Sequence, residues 1–196
     1  PDGSVGTAKL VDANVTDAKI ATMAASKLTG ALPAIDGAAL TNLPAGGKIV
    51  QVVHAHLGTH FTSSTQMVDD NTIPTITEGV EVITLAITPT SATNKLLIRA
   101  SVPVATGNRT LMHIMALYVG ATSAALSSRP FALANADDPD GPVIEHYMTS
   151  GVTTELTFRV RIGPVGSATI TINGHDSAAK MGGTMNTFMT IMEIAV

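Results

Sequence analysis

The chain has 196 residues, a net charge of −4, no cysteine, and 45% apolar, 3% aromatic and 13% charged residues. That length holds one substantial domain and an appendage. Disulfides and thiolate metal sites are excluded, an acidic balance gives no footprint for nucleic acid, and no apolar run reaches the ~18 residues of a membrane-crossing helix.

A charged fraction of 13% stands against roughly 25% in an average soluble domain. So few charges leave wide uncharged surfaces, which mark interaction sites; a surface kept wet by Thr, Ser and Gly is the plainer alternative. The first residue is Pro1 rather than Met, which reads as a processed product or a fragment.

Residues 1–46 are rich in Ala, Gly, Thr and Asp. They open with three five-residue steps: Ala8-Lys9-Leu10-Val11-Asp12, Ala13-Asn14-Val15-Thr16-Asp17 and Ala18-Lys19-Ile20-Ala21-Thr22. A period of five fits neither a helix nor a strand. It describes a winding chain that turns Leu10, Val15 and Ile20 inward, and such a segment needs neighbouring copies to bury that row. Ser26 to Pro44 follows, punctuated by Gly30, Pro33, Gly37 and Pro44, and Ala45-Gly46-Gly47 forms a hinge. Alanine content alone would allow a helix from Asp17 to Leu28.

From Lys48 the period becomes two. Strands are expected at Lys48–His56, Val80–Thr88, Lys95–Val104, Leu111–Val119, Val143–Met148, Glu155–Ile162, Thr169–Asn173 and Met185–Val196. In the sixth, Leu156, Phe158, Val160 and Ile162 share one face. Turn residues separate the runs and none has helical period, which indicates an all-β antiparallel sandwich or jelly roll over residues 47–196.

Two of these strands are apolar on both faces. Leu111, Met115, Leu117 and Val119 oppose Met112, Ile114 and Tyr118; Phe188, Met192, Ile194 and Val196 oppose Met189 and Ile191. Antiparallel strands normally wet one face. Either another chain or a covering loop is implied, and contact with another chain is preferred, with Met189 and Ile191 at the interface.

The run from Ser26 to Pro44, Ser-Lys-Leu-Thr-Gly-Ala-Leu-Pro-Ala-Ile-Asp-Gly-Ala-Ala-Leu-Thr-Asn-Leu-Pro, resembles the linker before the distal domain of bacteriophage fibre proteins. The five-residue steps resemble fibre-shaft repeats. The β-rich remainder, through Ile87-Thr88-Pro89-Thr90-Ser91-Ala92-Thr93-Asn94-Lys95-Leu96-Leu97-Ile98 and the run from Gly183 to Ile194, is similar to phage-fibre jelly-roll heads, with an outline like tumour-necrosis-factor and C1q-type domains. The resemblance implies a virion-located homotrimer with an intertwined shaft, joined on its N-terminal side to other virion proteins. No cofactor is implied.

Candidate sites are sparse. His54-Ala55-His56 puts two imidazoles on one strand face about 6.6 Å apart; in a threefold fibre such a pair would offer six imidazoles to one metal, and otherwise the rings are solvated at a strand end. Asp137, Asp138 and Asp140 read as calcium ligands or, more simply, as turn formers. No Gly-x-Ser-x-Gly, phosphate-cradling loop or His-Glu-x-x-His is present, so an enzyme is not expected. Host contact is expected from loops on the β scaffold: Ser127–Pro142, with Arg129, Asp137, Asp138 and Asp140, and Gly174–Gly183, with His175, Asp176 and Lys180. The sequence thus reads as the distal part of a tail fibre that binds a host-cell receptor. Capsid decoration is the alternative, and a polysaccharide-degrading tailspike is disfavoured by length.

Overall fold

A computed structural model describes residues 47–107, 111–133 and 138–196. The expected shaft positions Leu10, Val15 and Ile20, the linker, and Asp137 lie outside the described residues.

In chain order the strands are β1 (Ile49–Leu57), β2 (Phe61–Ser63), β3 (Val80–Ile87), β4 (Lys95–Ser101), β5 (Val104–Thr106), β6 (Met112–Val119) and β7 (Ser127–Ala132). There follow β8 (Val143–Thr149), β9 (Leu156–Pro164), β10 (Ile170–Ile172), β11 (Gly174–His175), β12 (Ala178–Ala179) and β13 (Thr187–Ile194). Two four-stranded sheets, ordered β1-β13-β4-β8 and β3-β9-β6-β7, face each other, and β2-β10-β5 adds a small third sheet. All pairings among these strands are antiparallel. Apart from the β6–β7 hairpin, successive long strands change sheets, which is the winding of a jelly roll.

Period-two burial builds the core. Phe158, Val160 and Ile162 of β9, and Met115 and Leu117 of β6, meet Leu96, Ile98, Met189 and Ile191 of the opposite sheet, all fully buried. Each such side chain contributes about 1.5–3 kcal/mol on leaving water.

The expected strand Lys95–Val104 breaks in two. Pro103 cannot donate to a ladder, and there the chain leaves the four-stranded sheet and re-pairs as β5 against β10. The second difference is β7. The sequence places Ser127–Ala132 within a loop, because Ser127-Ser128-Arg129-Pro130 has low strand propensity. It forms the edge of its sheet instead, the place where a proline is tolerated.

The two apolar faces of β6 also need correction. No second chain is required there. The segment between β2 and β3 folds over the strand, and Met67 and Ile76 pack on Ile114, Ala116 and Tyr118. This strap is tied on: the Tyr118 hydroxyl donates to the Thr75 carbonyl at 2.9 Å, and Arg161 donates to the carbonyls of Glu78 and Gly79, each at 2.7 Å. Glu78 accepts from the Val68 and Thr75 amides at 2.9 and 2.7 Å. Gly163 is required because the strap passes so close: a Cβ there would run into the Thr65 carbonyl oxygen and stand 3.2 Å from the Gly79 Cα.

Candidate functional site

The outer face of the β1-β13-β4-β8 sheet carries the largest arrangement the core does not use. Val52 pairs with Met192, Met192 with Leu97, and Leu97 with Tyr147, so one apolar row crosses all four strands. Val52 is 52% and Tyr147 55% exposed, while Met192 and Leu97 are half-buried. Ile49, Val50 and Val196 add exposed apolar surface. The next row is polar: His54, Thr190, Arg99 and Glu145.

Met189 and Ile191, expected at an interface between chains, are not on this face. Both are 0% exposed within the chain's own core and cannot reach a neighbour. The outward residues of β13 are Phe188, Thr190, Met192 and Ile194, all half-buried. Both faces of β13 carry apolar side chains, so a period of two does not say which one points inward. Sequence reasoning missed Val52, Leu97 and Tyr147 for a related reason: each lies in a different strand, and only register aligns them.

His54 and His56 do share this outer face. Their ring centroids are 6.4 Å apart, and His54 also stacks on Phe188 at 6.3 Å. His54 Nδ1 lies 2.8 Å from the Thr190 hydroxyl. Within one chain, no group of three potential metal ligands forms among the described residues.

The two loops expected to make contacts converge on β5. Val104 pairs with Ile172 on one side and with Asp140 on the other. Asp138 and Asp140 lie on an exposed turn beside a shallow hollow of about 350 Å³ that Ala132, Leu133 and Pro139 also line. The Asp140 carboxylate accepts the Gly141 amide at 2.7 Å, ordinary turn chemistry. Arg129 is not part of this turn; it lies on β7 and donates to the Val143 carbonyl at 2.9 Å, linking the edges of the two sheets. Across β5, Asp176 accepts from Lys180 at 3.0 Å and lies 2.9 Å from His175 Nδ1. The Lys180 and His175 hydrogen bonds hold the Asp176 carboxyl below its usual pKa. Asp176 and Ser177, both with positive φ (52° and 56°), form the two-residue turn of this hairpin, the φ pattern that tight hairpins favour; Asn173 and Met181, also at positive φ, flank it.

Glu193 is 0% exposed, at the end of the core face of β13. Gln51, Thr90, Ser91 and Asn94 all donate to its carboxylate. Glu81 is likewise engaged, 3.6 Å from Arg159 and 3.5 Å from Arg161. Both carboxylates serve the scaffold. Among the described residues, no helix is long and apolar enough to cross a membrane.

No protein-family model matches the chain, and no curated protein does. Among solved structures, it is similar to the Eiger TNF from S. frugiperda, at 8% identity and a TM-score of 0.43 over 74% of this chain and 93% of that one. It is also similar to the VP2 subviral particle of infectious bursal disease virus, at 13% identity and a TM-score of 0.34, over 84% of this chain and 43% of that one. A T13 viral particle of the same virus gives 12% identity and a TM-score of 0.38 over 84% and 40% of the two chains. At these levels the function must come from the surfaces described above.

Proposed function

We propose that this chain is the distal part of a phage tail fibre. In this reading it is a non-enzymatic virion structural protein that assembles as a homotrimer and presents a β head to the host-cell receptor. Other virion proteins join it on the N-terminal side. The observation that carries the reading is the Val52–Met192–Leu97–Tyr147 row, an apolar face too continuous for a sheet that meets only water. The fibre-like linker and the inward row of Leu10, Val15 and Ile20 support it from the sequence. The Asp138–Asp140 turn and the His175–Lys180 hairpin, on either side of β5, are the proposed receptor contacts. The His54–His56 pair is proposed to lie at the assembly face.

Light scattering on the soluble protein tests the assembly: the expected mass is about three times the 20.1 kDa of one chain, and a stable monomer at micromolar concentration overturns it. Binding of the labelled protein to host cells, non-host cells and purified empty capsids tests the role. Preference for host cells supports attachment; capsid binding without host preference replaces attachment by shell decoration.

A further inference from the structure

His113 lies on the core face of β6 and is 0% exposed, yet neither of its ring nitrogens has a hydrogen-bond partner. Its ring stacks on Phe131 of β7 at 5.4 Å between centroids, and these two residues are direct partners across the ladder. A buried polar group without a partner is costly, and one that acquires a charge is far more so. Strand β7 is the edge of its sheet. Ser128, Arg129, Pro130 and Ala132 are exposed, so Phe131 is the one large apolar anchor the strand has. Pro130 also removes a donor from the strand.

We propose that His113 is an acid-release latch for this edge: the neutral ring packs under Phe131 and holds β7, whereas the protonated ring cannot remain there and frees Ser127–Ala132. Among the described residues, no group gives the ring a hydrogen bond; β7 presents Arg129, a cation, on the face it shares with Phe131, and β8 presents His146 on its core-facing side. β9 presents only Pro164 and Ile162. Asp138 and Asp140 lie on the exposed turn beyond. Burial lowers the pKa of His113, in agreement with the geometry.

The sign follows from proton linkage. A histidine held neutral when closed and free to titrate when open favours opening once the pH falls below its free value of about 6.5, by about tenfold per pH unit. The latch is independent of how the chain assembles.

The test is backbone amide exchange on the full chain from pH 8 to pH 5, corrected for the intrinsic rate. Exchange at Ser127–Ala132 should rise about tenfold per pH unit below about 6.5, with much smaller changes in β3 and β9, and a His113→Leu variant should be flat. An equal rise in that variant, or no rise in the natural chain, overturns the latch. Should the variant fail to fold, the imidazole NMR titration of the natural protein decides alone. A ring that stays neutral until β7 loses protection supports the latch; a ring that protonates near pH 6.5 while β7 stays protected overturns it.

Discussion

The side-chain amide of Asn94 donates a 2.6 Å hydrogen bond to the carboxylate of Glu193, joining positions 99 residues apart in a site closed to water. Thr90 donates to the same oxygen twice, from amide and hydroxyl, each at 2.8 Å, and Gln51 reaches the other at 2.6 Å. The turn between β3 and β4 is thereby fixed to β1 and β13, neighbours in the β1-β13-β4-β8 sheet. Within the run Thr-Pro-Thr-Ser-Ala-Thr-Asn, Thr90, Ser91 and Asn94 are the donors folded around this acid.

That cage should govern acid stability. Burial alone would raise the pKa of Glu193, but the hydrogen bonds from Asn94, Gln51 and Thr90 outweigh it and bring the carboxyl down to about 2. A depressed carboxylate stabilises the fold above its unfolded value, near 4.5, and that contribution is lost as the pH falls towards 2. A shift from 4.5 to about 2 corresponds to about 3 kcal/mol. Glu193→Gln should lower Tm at pH 7 by roughly 5–10 °C and flatten the dependence of stability on pH between about 2 and 4.5. An unchanged Tm would mean that the cage is not closed in solution.

The strap should be separable from the sandwich. Gly163→Val places branched carbons where the Thr65 carbonyl and Met67 now lie, at a cost of about 1–3 kcal/mol. The readout is Tyr118, whose hydroxyl is pushed up to about 12 by burial and by the charge of Glu78, partly offset by Arg161. A raised acid is stabilising below pH 10 and loses that contribution as the pH climbs towards 12. In a Tyr147→Phe background, Tyr118 is the remaining tyrosine of the two. Spectrophotometric titration should then show its pKa falling towards 10 when the Gly163→Val substitution lifts the strap.

The two faces of the β1-β13-β4-β8 sheet should respond differently to substitution. Val52→Glu puts a charge into the apolar row at a half-exposed site, so the single head should stay folded while the assembly dissociates. Met189→Ala instead opens a hole in the core and should cost about 2–5 kcal/mol of head stability. Sedimentation and circular dichroism separate the outcomes. Assembly that survives Val52→Glu moves the interface elsewhere.

Strand alternation and turn chemistry carried most of the fold, and the expected strands match the observed ones to within a few residues outside the Pro103 break. The failures have physical causes. Ser127–Ala132 has little strand character of its own and is held by its pairing with β6. The face of β6 beyond the core reads as an intermolecular surface because nothing in Met67 or Ile76 announces that a 16-residue connection, Ser64 to Gly79, will fold back over Tyr118. The apolar row on the outer face of the β1-β13-β4-β8 sheet draws one residue from each of four strands, so no local window contains it. The His54–His56 spacing was legible because both residues lie in one strand.

The proposed receptor contacts come from two segments far apart in sequence. Asp140 and Ile172 both pair with Val104, so the acidic turn and the His175–Lys180 hairpin flank the same strand, β5. Asp138→Ala with Asp140→Ala, and separately Lys180→Ala, remove charges together with the Asp140–Gly141 turn bond or the Lys180–Asp176 pair, each worth about 1 kcal/mol or less. Each should therefore lower Tm by no more than a few degrees and leave the assembly mass intact while weakening host-cell binding. If both segments form one contact surface, combining them should be non-additive, as expected for neighbours sharing a partner. Arg129→Ala is the control, since its guanidinium is turned to the Val143 carbonyl; it should loosen the edge between β7 and β8 without changing cell binding at neutral pH. Binding lost in Arg129→Ala but kept in the loop variants would transfer the contact from the β5 end to the sheet edge.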